Sequence, residues 1–167
     1  LYAKALDYLF EEPFEDGDIA MDLFCGTGTI AQLMAKRNPN VRIIGVDIVE
    51  KAISDAKENA LKNQISSAEF YAADVGKFLK EYPEFQGKIK RIMLDPPRAG
   101  IAPKTLQKVL ALGAQSIVYI SYNPATQARD ANTLAMAGYQ LEKYALADQF
   151  PHTGHIESIA KFVKHES

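Results

Sequence analysis

Tryptophan is absent from this 167-residue chain and cysteine occurs once. No sign of charge dominates: 19 Lys and Arg stand against 21 Asp and Glu, a formal net charge of −2. The lone Cys25 excludes an intramolecular disulfide and a cysteine-rich zinc site. The near-balance of charge, with a pI of about 5.9, excludes the electrostatic footprint of a domain that grips nucleic acid unaided. No apolar run approaches the ~20 residues that span a bilayer, and the first residues lack the basic, apolar, small-residue order of a secretory signal. The expectation is a cytoplasmic protein. What is present is an ordinary globular composition, 47% hydrophobic and 24% charged, in a length suited to one domain with one core over residues 1–167. The chain opens on Leu1 inside a helical pattern (Tyr2, Leu6, Leu9, Phe10), so a piece of a longer protein is expected.

Short β-rich runs alternate with amphipathic stretches. The runs are Ile19–Phe24, Arg42–Ile48, Ala68–Asp74, Arg91–Asp95 and Ser116–Ser121, and helix-like segments lie near 29–37, 49–63, 75–82, 103–113 and 125–137. This alternation predicts right-handed crossovers and a parallel sheet covered on both faces. Then come two consecutive extended stretches, Tyr139–Phe150 and Glu157–Lys164, which predict an antiparallel hairpin. The fold class expected is α/β: a doubly wound, mostly parallel, seven-stranded Rossmann-like sheet of the methyltransferase type, closed by a C-terminal antiparallel hairpin.

The segment Asp22-Leu-Phe24-Cys25-Gly26-Thr27-Gly28-Thr29 falls at the carboxyl end of the first strand, where open α/β sheets bind ligands. Gly26 and Gly28 permit tight turning and close backbone approach, and with Ala31 they complete a Gly-x-Gly-x-x-Ala pattern. A P-loop is excluded, because no Gly-Lys-Ser/Thr follows. The glycine pattern and Asp47, which suits a ribose diol, serve NAD and S-adenosylmethionine alike. Asp74 and Asp95 then close the third and fourth runs, so acids at 22, 47, 74 and 95 ring one sheet edge. That charge suits a sulfonium cofactor with its ammonium group better than a pyrophosphate. The plain alternative is that such acids cap the following helices. Cys25 reads as a small residue packed beside the loop.

Three further blocks are more specific. They are Asp95-Pro-Pro-Arg98-Ala-Gly, Ser121-Tyr122-Asn123-Pro124-Ala-Thr-Gln-Ala-Arg129-Asp130, and Phe150-Pro-His152-Thr-Gly-His155-Ile-Glu157. Together they resemble the RNA uracil-C5 methyltransferases, whose middle block reads Ser-Cys-Asn-Pro. The resemblance runs from the glycine loop to the last strand. It implies an enzyme that uses S-adenosylmethionine to modify ribosomal or transfer RNA, helped by RNA-binding regions upstream. It also implies that Phe24, Thr29, Asp47, Asp74 and Asp95 line the cofactor pocket, that Glu157 is the base, and that Arg98, Asn123 and Arg129 belong to the RNA side.

Tyr122 departs from this pattern at the nucleophile. Uracil C5 is a poor nucleophile, so a thiolate adds at C6, the enolate takes the sulfonium methyl, and a base removes the C5 proton to release the thiol. A phenol of pKa ~10 is scarcely ionised at neutral pH, and its ring fills space that a flipped base requires. An inactive relative, a substituted chain and a changed activity all remain open readings, with a non-catalytic cofactor- or RNA-binding module and an NAD-dependent oxidoreductase as rival classes. His152-x-x-His155-x-Glu157 lacks the helical spacing that places two imidazoles on one face, so no metal is expected.

Overall fold

Runs of consecutive apolar residues such as Ile43-Ile-Gly-Val46 and Ile117-Val-Tyr-Ile120 suit strands covered on both faces, and both runs are buried throughout. A computed structural model describes residues 2–150 and 155–165. Its elements are α1 (Tyr2–Leu9), β1 (Ile19–Leu23), α2 (Thr29–Arg37), β2 (Arg42–Asp47), α3 (Glu50–Lys62), β3 (Ala68–Ala72), α4 (Val75–Glu81), β4 (Ile89–Leu94), α5 (Pro103–Ala111), β5 (Ser116–Ser121), α6 (Pro124–Met136), β6 (Tyr139–Phe150) and β7 (His155–Lys164). A short 3-10 turn over Pro83–Phe85 precedes β4.

The sheet has seven strands in the order β3-β2-β1-β4-β5-β7-β6. The first five pair in parallel, whereas β7 runs antiparallel to β5 and to β6. A dinucleotide-binding sheet continues 3-2-1-4-5-6 in parallel. Here a reversed strand is inserted beside β5, which brings the start of the last strand to the carboxyl edge of the sheet. In register, Ser121 pairs with Ser158.

Two apolar layers sandwich the sheet. One joins Met21, Ile44, Ile92, Ile117 and Tyr119 to α4 and α5 through Phe78, Leu79, Leu106 and Val109. The other joins Ile43, Met93, Val118 and Ile159 to α1, α2 and α3 through Leu6, Met34 and Ile53. Burial of such side chains, at ~1.5–3 kcal/mol each, is the main stabilising contribution. The chain leaving α1 is fastened to the sheet by Arg91, whose guanidinium donates to the Leu9 carbonyl (2.7 Å) and the Pro13 carbonyl (3.1 Å) and lies 3.9 Å from the Phe14 ring centroid.

The predicted runs differ from the observed strands mostly at their ends. Asp22 lies inside β1, in register with Gly45 and Met93, and the third strand stops at Ala72. Asp74 instead caps α4, accepting from the Lys77 N–H at 3.0 Å. The ring of four strand-end acids is therefore corrected to three at the edge, with Asp22 beneath them. Residues 151–154, read from the sequence as the link of the hairpin, and the side chains of His152 and His155 on which a metal site would depend, lie outside the described residues.

Candidate active site

The chain turns sharply after β1. Phe24 adopts a φ of 63°, rare for a bulky residue, and Gly28 takes the left-handed conformation (φ 79°) that opens α2. A Cβ at Gly28 would stand 2.7 Å from the Phe70 ring, so this glycine is needed for packing as well as for the turn. The loop is tied to the next strand by hydrogen bonds from Cys25 N–H to the Val46 carbonyl (3.0 Å) and from Gly26 N–H to Asp47 Oδ2 (2.9 Å). Asp47 Oδ1 accepts from Val49 N–H at 2.9 Å. Both oxygens of this carboxylate are thus fixed by backbone donors while the side chain still faces a cavity.

That cavity, about 540 Å³, runs along the carboxyl edge of the sheet. One end is formed by Phe24, Asp47, Ile48, Val49, Asp74 and Val75, the other by Asp95, Pro96, Pro97 and Tyr122. Ile48, Val49 and Val75 were not singled out in the sequence. Ile48 and Val49, 66% and 52% exposed, are apolar residues directly after a strand-end acid, and that conjunction was the available signal. Thr29 begins α2 and is exposed, outside the cavity lining.

Beneath the edge, Asp22 is completely buried, and neither carboxylate oxygen has a hydrogen-bond partner among the described residues. The Ala31 N–H faces it without reaching hydrogen-bond geometry. Burial, then the neighbouring Asp95 charge, holds its proton affinity well above the usual carboxylate range. Asp95 is pushed up to about 6, first by burial and then by Glu157. Burial likewise raises Glu157, which is 2% exposed with Oε2 unpartnered among the described residues. Tyr2 of α1, half-buried, feels the charges of Asp95, Glu157 and Asp22, which adds it to this group. Cys25 is pushed upward by burial and by Asp22, the opposite of nucleophile activation.

Tyr122 follows β5 at the mouth of the cavity, 47% exposed, with its phenol facing the Glu157 carboxylate. Its proton affinity is pushed up to about 12 by burial and then by Glu157, so the phenol is less acidic than a free tyrosine. The antiparallel pairing of β5 and β7 brings these two residues together.

The other residues of the middle block hold the loop after β4. Asn123 caps α6 by accepting from Ala125 N–H (3.1 Å) and Thr126 N–H (3.4 Å), and its amide donates to the Arg98 carbonyl at 3.3 Å. Arg129 donates to the Ala99 and Ile101 carbonyls and to Asp130. Asp130 itself accepts from Tyr119 Oη at 2.6 Å and from Ile101 N–H at 3.2 Å. Asn123 and Arg129, read from the sequence as RNA-side residues, thus direct their hydrogen bonds into this loop. Arg98 is exposed and uses its carbonyl to receive Asn123 and Thr126.

A strand order with a reversed seventh strand, and a cavity over a glycine turn and acid-ended strands, define a methyltransferase domain. Residues 14–157 match the family described as "Methyltransferase domain", and the chain belongs to it. The resemblance carried by the three later blocks extends along the chain. It is 41% identical over 98% of its length to the 23S rRNA (uracil(1939)-C(5))-methyltransferase RlmD of Vibrio cholerae and 40% identical over 95% to an uncharacterised RNA methyltransferase of Clostridium acetobutylicum. Among solved structures it matches the Pyrococcus abyssi tRNA (uracil-54, C5)-methyltransferase in complex with S-adenosyl-L-homocysteine, with a TM-score of 0.78 and 32% identity over 97% of this chain and 37% of that one. The chain spans about a third of the length of these curated relatives, 36% and 33% respectively. With the inserted antiparallel strand, these matches weigh against the dehydrogenase reading.

Proposed function

We propose that this chain is the S-adenosylmethionine-binding domain of an RNA methyltransferase of the uracil-C5 lineage, acting on ribosomal or transfer RNA in the cytoplasm, and that Tyr122 removes the thiolate route to C5. The single observation that carries the reading is the cavity joining Asp47, Asp74 and Asp95 to the loop Asp95-Pro-Pro and to Tyr122.

The residues present fit the cofactor. Asp47, fixed by two backbone N–H groups, would hold the ribose diol. Ile48, Val49 and Val75 offer apolar surface for adenine. Asp22, a buried carboxyl lacking a partner among the described residues and holding its proton tightly, would ionise beside an ammonium group, whose charge lowers its proton affinity. When bound, the cofactor supplies an electrophilic methyl on a sulfonium. At the other end of the cavity this chain's residues face the base. Asp95 orients it, Glu157 would accept the C5 proton, and Tyr122 occupies the nucleophile's position. A phenol with its pKa pushed to about 12 is almost wholly protonated at neutral pH and does not add to C6.

Calorimetry tests the cofactor assignment: S-adenosylmethionine binds and NAD does not, and the reverse result removes the reading. Trapping tests the lineage. The Tyr122 chain forms no covalent adduct with 5-fluorouridine RNA. Tyr122→Cys forms one, because fluorine at C5 does not leave as a proton and Glu157 cannot complete elimination. Adduct formation by the tyrosine form would place the nucleophile elsewhere.

A further inference from the structure

Two stretches leave the rim of the cavity on the same layer of the sheet: α4 begins at Val75, and Arg98 follows Pro97 on the way to α5. Gly76 lets the two helices meet. A Cβ there would stand 2.9 Å from Thr105 Oγ1, and the Lys108 ammonium donates to the Gly76 carbonyl at 3.3 Å. This close approach joins Lys77 and Lys80, about one turn apart on α4, to Lys104 and Lys108, about one turn apart on α5. Lys77, Lys80, Lys104 and Arg98 are exposed, and among the described residues no acid forms an ion pair with any of them or with Lys108.

The opposite layer differs. There Arg37 pairs with Asp7, Lys51 with Asp55 and Lys62 with Glu58. The sequence divides in the same way: residues 74–108 hold eight Lys and Arg against four Asp and Glu, whereas the rest of the chain holds 11 against 17. Glu11, Glu12, Glu15, Asp16 and Asp18 crowd the segment that leads into the amino end of β1. A polyanion is therefore drawn to the α4–α5 side of the cavity and repelled from the amino edge.

We propose that Arg98, Lys77, Lys80 and Lys104, with Lys108 behind them, form the track on which the phosphate backbone of single-stranded RNA runs beside the cavity. The inference rests on the RNA reading above and deepens it by assigning the path of the strand. Phosphates follow the α4–α5 ridge, and the target base turns over Pro97 into the cavity. An ammonium binds phosphate as a point charge, so these contacts fix position and carry no sequence information. The track also explains how a chain of net charge −2 orients a polyanion that its overall charge does not attract.

Fluorescence anisotropy of a labelled oligouridylate across a salt series, with and without S-adenosylhomocysteine, reads the track. Replacing Lys77, Lys80 and Lys104 together by Gln weakens binding about tenfold or more at low salt. It also reduces the slope of log affinity against log salt by about 2, since each phosphate contact on a single strand contributes ~0.7. The same loss of charge on the other layer, by Lys36→Gln, Lys57→Gln and Lys62→Gln together, changes affinity by less than about twofold. Arg in place of the three track lysines retains binding. All six side chains are exposed, so both Gln variants keep the parent's urea midpoint and S-adenosylmethionine affinity. Equal losses from the two Gln variants, an unchanged salt slope, equal competition by polyglutamate of matched charge, or no salt-dependent RNA binding overturns this inference and leaves the cofactor reading standing. Absence of S-adenosylmethionine binding overturns the cofactor reading, and the salt slopes still decide the track.

Discussion

Arg91 and Lys161 are cations buried to 2% and 0% exposure; Asp22 and Glu157 are carboxyl groups buried to 0% and 2%. The cations are met on all sides. Arg91 has two carbonyls and the Phe14 ring, and Lys161 lies 3.0 Å from Glu12, 3.7 Å from Glu11 and 3.6 Å from Glu142. Both Asp22 oxygens and Glu157 Oε2 have no partner among the described residues. Burying a charge without a partner is costly, and these carboxyls relieve that cost by holding their protons more tightly than free ones do. The partnered cations fasten the segment after α1 to the sheet. Glu157 lies at the carboxyl edge and Asp22 beneath it, where the proposed positively charged cofactor would favour their ionised forms. Completeness of pairing separates the part of this sheet that holds the fold from the part beside the cavity.

The largest expected effect breaks the fastened side. Arg91→Ala removes two charge-assisted hydrogen bonds, worth ~1.5–3 kcal/mol each, and lowers unfolding free energy by about 4 kcal/mol, read as a drop in the urea midpoint. A shift below ~1 kcal/mol would show that this clamp does not stabilise the fold.

The open side answers to pH. Asp95 has a folded pKa of about 6 against ~3.9 for a free aspartate, so folding favours its protonated form. Its contribution is fully present below pH ~4 and is lost as pH rises through 6, by up to about 3 kcal/mol in the free domain. Asp95→Asn flattens that portion of the stability profile when urea midpoints of the two proteins are compared between pH 4 and 7. Parallel profiles would mean that Asp95 is not desolvated as described.

Asp47→Ala weakens S-adenosylmethionine binding by more than tenfold, measured by calorimetry, because it removes the proposed ribose acceptor and releases the Gly26 and Val49 N–H groups it holds. Unchanged affinity would detach this carboxylate from the site. The smallest effect is expected at Lys161→Met. Its carboxylate partners are 26–52% exposed and stay hydrated once the ammonium is gone, so stability changes by less than ~1 kcal/mol and loses part of its salt dependence. A loss near that of Arg91→Ala would make the two cations equivalent.

The sequence by itself determined the alternation of strands and helices, because apolar runs and amphipathic stretches are local patterns set by the periods of the two structures. It also located the glycine turn, the acids at 47, 74 and 95, and the block from Ser121 to Asp130, since each lies where a strand or its connection ends. Tertiary structure alone decided that Asp22 is sealed: β1 lies inside the sheet, between β2 and β4, and strand order is not written in local periodicity. It alone brought Glu157 to Tyr122, through the antiparallel register of β7 on β5. It gave Asn123 and Arg129 the loop after β4 as their partner, and it buried Lys161 under three glutamates from two separate segments. These facts depend on which distant segments meet, and burial and pairing become defined only when they do.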